Sequence, residues 1–139
     1  QNFLISCYGP EQVFEEHTGN YFFRKKYNDV KKRYDSLIER AMTFTEDNLV
    51  FFEYSGDLSI SSDLSNELAY KNKGKYVAVV YKNGNIANVS LRGKNVKKII
   101  EKILKGIEGS GGGHEDAVGA RLRADDLEKF KKVLEGELV

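Results

Sequence analysis

The chain is poor in the residues that build disulfides, metal centres and membrane spans. It has 139 residues, of which one is cysteine, Cys7, and two are histidines, His17 and His114. A single cysteine excludes an internal disulfide and a zinc site built on several cysteines, and it is typical of proteins in a reducing cytoplasm. No apolar run approaches the roughly 18 residues that a membrane helix needs, and no signal peptide is recognisable. These absences predict a cytoplasmic chain without membrane contact, of a length that suits one compact domain or a domain with an arm.

Positive charge is concentrated in one segment, although the chain as a whole is nearly neutral. The formal net charge is +1, yet residues 71–105 contain ten lysines and arginines and one acid, Glu101. Because clustered cations raise the local concentration of anions, one interpretation is a phosphate-bearing ligand near this segment. A solvated lysine-rich surface explains the same composition equally well.

Hydrophobic periodicity predicts an α+β fold, with a mixed sheet of about four to five strands backed by helices and an N-terminal helical arm. In the arm, apolar residues recur at helical spacing between Tyr27 and Ala41, and this face packs on the domain or on a partner, including a second copy of the chain. Ahead of the arm, residues 3–6 and 13–16 predict a short strand and a short helix. Downstream, the patterns predict a strand at 49–54, a helix capped by Ser61 or Ser62, a hairpin of strands 76–81 and 86–91 turning at Asn83-Gly84, a helix over 95–107, a glycine loop, a strand near 118–122 and a last helix from about Asp125 to Leu138.

The most informative run is Gly-Ser-Gly-Gly-Gly-His-Glu-Asp-Ala-Val-Gly at residues 109–119. Three consecutive glycines let the backbone approach a ligand closely, and they lead into His114, whose ring can stack on a base or hydrogen-bond a phosphate or ribose. A flexible linker would also be rich in glycine, but the spacing continues to the small residues Ala117 and Gly119, which suit tight packing. The run therefore predicts a loop that holds a ligand. His114 has two further interpretations, as a residue that only orders the loop and as a general acid completed by another domain.

A second polar signal lies on the predicted strand 86–91 and just beyond its end. Alternation along the strand places Asn88, Ser90 and Arg92 on one face of the sheet. The planar guanidinium of Arg92 can grip a phosphate through two donors, with the Ser90 hydroxyl beside it. The alternative interpretation of Arg92 is structural, as the partner of an acid such as Glu53 or Asp57.

Together, Ser90-Leu91-Arg92 and the Gly-Gly-Gly-His-x-x-Ala-x-Gly run resemble the DHHA1 domain. This domain is the C-terminal substrate-binding module of DHH-family phosphoesterases, which include RecJ-like exonucleases, nanoRNases and cyclic-dinucleotide phosphodiesterases. The run at 55–68 is similar to the archaeal RecJ-like branch. The resemblance covers roughly residues 49–139, so we expect residues 1–48 to be the end of a preceding segment with a connecting helix. We also expect the chain to be a C-terminal fragment that lacks the catalytic DHH domain.

The resemblance implies a division of labour between two domains. In such enzymes the DHH domain holds two divalent metals, manganese or magnesium, which activate water for hydrolysis of a phosphodiester, and the DHHA1 module holds the substrate. Because no Asp-His-His motif occurs and two histidines with scattered acids cannot supply a two-metal ligand set, we expect no catalytic residue, metal or other cofactor in this chain, which alone binds and does not cleave. The substrate and phosphate contacts that the resemblance implies are Ser90, Arg92, Gly111, Gly112, Gly113 and His114.

Three functions stay open at this point. The first is binding of single-stranded nucleic acid or a short oligonucleotide, with the N-terminal DHH domain as partner. The second is binding of cyclic or linear dinucleotides, for which affinity does not grow with strand length. The third is a non-catalytic protein-interaction domain that docks or dimerises through the helix face between Tyr27 and Ala41. A related module also ends alanyl-tRNA synthetases, where it helps to hold tRNA, but no editing-domain residues accompany it here.

Overall fold

A computed structural model describes residues 18–138, with the side chains of all of these except 18–23 and 46. The strand predicted at 3–6 and the short helix predicted at 13–16 lie outside the described residues. The chain divides into two compact units, the first ending at Glu39 and the second beginning at Arg40. Helix α1, Thr18–Met42, is the predicted N-terminal arm. Among residues 18–138, no helix is both long enough and apolar enough to span a membrane.

The second unit is built on one mixed sheet, which confirms the predicted α+β class. Five strands are longer than two residues and a sixth, β1, has only two; the order across the sheet is β1-β2-β3-β4-β6-β5. Strands β2 and β3 are parallel, and every other neighbouring pair is antiparallel. The elements are β1 (Thr45–Glu46), β2 (Leu49–Ser55), α2 (Ser61–Lys71), β3 (Tyr76–Asn83), β4 (Ile86–Arg92), α3 (Val96–Ile103), β5 (Gly109–His114), β6 (Ala117–Arg123), a 3-10 turn (Ala124–Asp126) and α4 (Leu127–Glu137).

Helices cover both faces of this sheet, and they divide its residues into two groups. Helix α2, in the crossover between the parallel strands β2 and β3, lies against β3 and β4 on the face that carries Val77 and Val79. Helices α3 and α4 pack on the opposite face, where Ile100 and Phe130 are fully buried in the main hydrophobic core. Strand β3 is therefore buried on both faces, as its continuous apolar sequence predicts.

The glycine run is a strand and not the predicted loop. Residues Gly109–His114 form β5, an exposed edge strand that pairs with β6 in an antiparallel hairpin. Gly113 has a φ of +152°, and a Cβ at this position would lie 2.5 Å from the Ala117 carbonyl oxygen. Glycines give no side-chain periodicity, so the sequence pattern carries no signal for a strand that is held by backbone pairing with β6.

Two further boundaries differ from their predicted positions. The hairpin between β3 and β4 turns at Gly84-Asn85, one residue later than predicted, and Gly84 takes the positive φ of 62° that the turn requires. The N-cap of α2 is Ile60 and not Ser61 or Ser62, and no side chain caps the helix. The two serines lie inside the first turn, where their hydroxyls are free to contact β4.

Candidate functional site

Helix α2 packs on one face of the sheet and covers only part of it. The candidate site is the exposed remainder of that face. Strands β6 and β5 extend the sheet beyond β4, and every residue of β5 is exposed. A shallow open groove of about 330 Å³ follows this region. Its lining residues come from all three strands: Asn88, Val89, Ser90, Ser110, Gly111, Gly119, Ala120 and Arg121.

The register of β4, β6 and β5 arranges this face in three rows that run across the strands. Residues directly opposite one another in antiparallel strands share a face of the sheet. The small middle row lies between two rows that each contain an arginine, so the surface is a trough with a cation on either side. The rows are Arg92-Ala117-His114, Ser90-Gly119-Gly112 and Asn88-Arg121-Ser110.

Gly112 and Gly119, which we call the glycine floor, leave the backbone bare in the middle of the trough. A Cβ built on Gly112 meets nothing within 4 Å, and one built on Gly119 meets only the Val89 carbonyl oxygen at 3.8 Å. Space inside the fold therefore does not demand glycine at either position. A side chain at Gly119 would stand in the groove, and one at Gly112, directly opposite on β5, would stand on the same face of the sheet.

Arg92 is held by hydrogen bonds to α2 and to its own sheet. Its Nε donates to Asn66 Oδ1 at 2.7 Å, and its second terminal nitrogen donates to Ser62 Oγ at 3.3 Å. The other terminal nitrogen donates to the carbonyl oxygens of Leu91 and Val118 at 3.0 and 3.3 Å. Burial without a neutralising carboxylate lowers the pKa of the guanidinium.

Arg92 does have a structural role, as the alternative interpretation expected, but its partners are Asn66, Ser62 and two backbone carbonyls. Glu53 lies 3.6 Å from Lys82, and no carboxylate pairs with Arg92 among the residues whose side chains are described. A guanidinium has five N–H donors, and the four hydrogen bonds leave one of them for a ligand. A two-donor grip on phosphate therefore requires Arg92 to release Asn66 or Ser62.

Ser90 lies at the covered end of the middle row. Its side chain is only 7% exposed, and its hydroxyl donates to Ser61 Oγ at 3.2 Å. Ser90 thus joins the groove to the first turn of α2, and it reaches a ligand only at the margin of the helix. The start of α2 is fixed in turn by Tyr54, whose hydroxyl accepts a hydrogen bond from the Ile60 N–H at 2.8 Å.

His114 ends β5 in the same row as Arg92. Its side chain is exposed, and its imidazole makes no hydrogen bond within the described part of the chain, so both ring nitrogens are available to a ligand. Two hydrogen bonds hold the turn that follows His114. The Asp116 carboxylate accepts a hydrogen bond from the Asn95 N–H at 3.0 Å, and the Asp116 backbone carbonyl oxygen accepts one from the Gly93 N–H at 3.1 Å. These contacts tie the end of β5 to the connection between β4 and α3. Asp116 therefore has a structural role in this turn.

The basic segment 71–105 does not form one uniform cationic surface. Lys71, Lys82 and Lys102 each lie within 4 Å of a glutamate, so part of the positive charge is neutralised locally. Lys94, Lys97 and Lys98 have no ion pair within residues 24–138, and they flank the start of α3. The Lys97 N–H donates to the Glu115 carbonyl oxygen at 3.1 Å, which places this group of lysines beside the turn that follows His114.

Six residues that line the groove were not among the predicted contacts: Asn88, Val89, Ser110, Gly119, Ala120 and Arg121. Asn88 was placed on the correct face by strand alternation, but no role was given to it. Alternation along β6 places Arg121 on the same face as Gly119, because the two residues are two positions apart. The sequence therefore contained the signal that places Arg121 in the groove. The predicted contacts Gly111 and Gly113 alternate away from this face, although Gly111 still lines the groove.

The described residues do not fit a two-metal centre. In the stretch 18–138, no group of three or more histidine, cysteine, aspartate or glutamate side chains is arranged to hold a metal ion. A two-metal site needs several such ligands around each ion.

The chain belongs to the DHHA1 domain family, whose sequence model matches residues 47–139. A comparison with the sequences of curated proteins gives no match. The matched residues run from β2 to α4 and include the whole groove. The family assignment agrees with the resemblance that the serine-arginine and glycine-histidine motifs carry.

Solved structures with the same fold come from proteins of different kinds. The C-Ala domain of alanyl-tRNA synthetase from Aquifex aeolicus is 19% identical with a TM-score of 0.50, and the match covers 62% of this chain and 89% of that one. RecJ from Thermus thermophilus, in complex with Mg²⁺, is 12% identical with a TM-score of 0.61, covering 88% of this chain and 20% of that one. The pGpG-specific phosphodiesterase PggH from Vibrio cholerae is 13% identical with a TM-score of 0.56, covering 81% and 41%. At these identities the likeness establishes the fold, and the chain corresponds to a fifth of RecJ and to less than half of PggH.

Proposed function

We propose that this DHHA1 domain binds single-stranded nucleic acid or a short oligonucleotide in the groove over the glycine floor. The observation that carries the proposal is the trough itself, in which bare backbone at Gly112 and Gly119 lies between a row with Arg92 and His114 and a row with Arg121. Bare backbone permits close approach of a sugar-phosphate chain. Flanking cations complement its phosphates.

Each part of the groove has a distinct task in this proposal. Arg92 presents one free N–H to a phosphate from a fixed position, because its other donors are held. His114 offers a ring for stacking on a base or a hydrogen bond to phosphate or ribose. Lys94, Lys97 and Lys98 add positive potential beside His114 and attract the strand over a longer range.

The full-length protein, in the same proposal, hydrolyses phosphodiester bonds in a DHH domain N-terminal to this one. The structure of RecJ from Thermus thermophilus contains Mg²⁺ in one case and Mn²⁺ in another. A DHH domain would supply such metals and the water that they activate, and the groove would present the strand. The described residues would then bind and position a substrate without cleaving it. The single cysteine supports a site of action in the reducing cytoplasm.

A binding titration tests the proposal directly. We expect single-stranded DNA or RNA of about 2, 6 and 15 nucleotides to bind with fluorescence anisotropy that saturates, and the affinity to fall steeply with salt, because binding neutralises phosphates. His114→Ala should weaken binding roughly tenfold, in the range of about 1–3 kcal/mol for a lost base-stacking contact. Lys132→Ala is the matched control, since Lys132 is exposed on α4, on the opposite side of the sheet. Absence of binding at low salt, or equal effects of the two substitutions, would refute the proposal.

A dinucleotide ligand is the second candidate, and the size of the groove favours it. A volume of about 330 Å³ lies at the lower end of the range of about 300–1,000 Å³ for small-ligand sites. In the titration this candidate predicts affinity that stops rising at two nucleotides. An interaction domain that docks through the face between Tyr27 and Ala41 predicts partner binding that survives His114→Ala.

A further inference from the structure

Arg121 lies on the opposite side of the glycine floor from Arg92. It is exposed, it lines the groove, and within residues 24–138 its guanidinium makes no hydrogen bond or ion pair. In the register of the sheet it lies between Asn88 on β4 and Ser110 on β5. The amide and the hydroxyl of these neighbours are both able to donate hydrogen bonds to an anion.

The neighbouring arginine on the same strand and face is already engaged. Arg123 lies 3.8 Å from the Glu108 carboxylate, so its charge is partly neutralised. It is also one row farther from the glycine floor, opposite Ile86 and not opposite a polar residue. Of these two arginines, Arg121 is therefore the one whose charge and position suit the groove.

The two arginine-bearing rows are separated along the strands, with the glycine floor between them. Ala117 and Arg121 mark the rows on β6, and four residues of a strand span about 14 Å. The guanidinium of Arg92 is directed to Asn66 and Ser62 of α2 and to two backbone carbonyls, and not toward Arg121. An anion held at Arg92 thus leaves Arg121 without a counter-charge.

We propose that Arg121 binds a second phosphate of the strand, so that the groove recognises ligands with at least two phosphates, one on each side of the glycine floor. This inference rests on the proposed nucleic-acid function and adds to it a minimum ligand. It makes Arg121 a specificity-determining residue for ligand length. Asn88 and Ser110 assist by donating hydrogen bonds to the same phosphate.

The test compares two probes on the 139-residue chain, a nucleoside 5′-monophosphate and a 5′-phosphorylated dinucleotide. Arg121→Gln should lower the affinity for the dinucleotide roughly tenfold, as expected for loss of a charge-assisted hydrogen bond, and leave the affinity for the mononucleotide within about twofold. The magnitude of the salt slope for the dinucleotide should fall by about 0.7, the value for one phosphate contact on a single strand. Arg123→Gln is the control, since it removes the same charge one row away, and we expect it to leave both affinities nearly unchanged.

The outcomes separate this inference from the proposal on which it rests. If the unsubstituted chain binds neither of the two probes, and does not bind longer oligonucleotides either, the proposed nucleic-acid function itself is refuted. If the chain binds the dinucleotide and Arg121→Gln changes neither its affinity nor its salt slope, only the second-phosphate contact is refuted. Equal losses for the mononucleotide and the dinucleotide would also overturn it, because Arg121 would then act on the same phosphate as the Arg92 row. Should the mononucleotide bind too weakly to measure, the salt slope for the dinucleotide decides.

Discussion

Three consecutive residues of the same type, Gly111, Gly112 and Gly113, have different structural reasons for being glycine. A Cβ on Gly113 would lie 2.5 Å from the Ala117 carbonyl oxygen, and a Cβ on Gly111 would lie 2.9 Å from that of Gly119. Both contacts are with backbone that cannot move aside. At Gly112 a Cβ meets nothing within 4 Å, so only a ligand would be obstructed.

This difference predicts opposite effects on stability. Gly113→Ala should destabilise the chain by about 1–3 kcal/mol, because the substitution combines a strained positive φ with a backbone clash. Gly112→Ala should leave the free energy of unfolding unchanged or raise it by up to about 1 kcal/mol, through loss of conformational freedom in the unfolded chain. Urea unfolding of both variants measures the contrast. Equal destabilisation by the two substitutions would contradict the placement of the β5–β6 hairpin.

At the same scale, the sequence identified the important side chains better than it identified their partners. Strand alternation placed Ser90 and Arg92 on one face, and the structure agrees. The hydrogen bonds of Arg92 to Asn66 and Ser62 were beyond prediction, because they depend on how α2 crosses β4, which no local pattern encodes. As a result, an Arg92 substitution tests the docking of α2 as well as ligand binding, and His114 is the cleaner probe.

At the scale of elements, helix α2 is held to the sheet at its first turn by Tyr54 as well as by Arg92. The Tyr54 hydroxyl accepts a hydrogen bond from the Ile60 N–H at the N-cap, which no side chain of the helix satisfies. Burial is the main cause that raises the pKa of Tyr54 to about 12. The neutral phenol is therefore favoured in the folded state.

Alkaline titration should reveal the burial of the neutral Tyr54 phenol. The folded-state pKa of about 12 exceeds the unfolded value of 10.0, so the folded chain holds the proton more tightly and the stabilisation is complete below about pH 10. It should be lost as the pH rises from about 10 to 12. Tyr54→Phe should cost about 1 kcal/mol at neutral pH and show a shallower decline in unfolding free energy above about pH 10. Parallel declines for the two proteins would mean that Tyr54 is not the group that titrates.

Hydrophobic periodicity predicted the order of the helices and of most strands, but it did not predict the glycine strand β5. The helices α2, α3 and α4 and the strands β2, β3, β4 and β6 lie where apolar spacing placed them, apart from shifts at their ends. Strand β5 has no apolar residue to mark a face, and its position at the edge beyond β6 is a property of the whole sheet. The groove depends on that pairing, because Gly112 lies opposite Gly119 only in this register. Of the three rows, the sequence therefore predicted Arg92, His114, Ser90 and Gly112 as contacts and missed the whole row that contains Arg121.

At the scale of the whole molecule, the net charge of +1 conceals a division of cations into two groups. Lysines such as Lys71, Lys82 and Lys102 are paired with glutamates on the surface, where such pairs contribute little to stability. Arg92, Arg121 and the lysines at the start of α3 lie in or beside the groove without a carboxylate partner among the described residues. The composition predicted either an anion site or a solvated surface; the glutamate pairs account for part of the positive charge, and the cations beside the groove are the ones that the proposed anion site uses.

The central claim is that the glycine floor is occupied by the ligand, and one binding measurement tests it most directly. The affinity of a 5′-phosphorylated single strand of about six nucleotides should be compared in Gly112→Val and in Gly136→Val. Both positions have open space around the Cβ, but Gly136 lies in α4, away from the groove. We expect both variants to fold with thermal midpoints close to that of the unsubstituted chain, and Gly112→Val alone to lose at least about tenfold in affinity, or about 1.4 kcal/mol. A folded Gly112→Val variant that binds as tightly as the unsubstituted chain would contradict the account and place the ligand elsewhere.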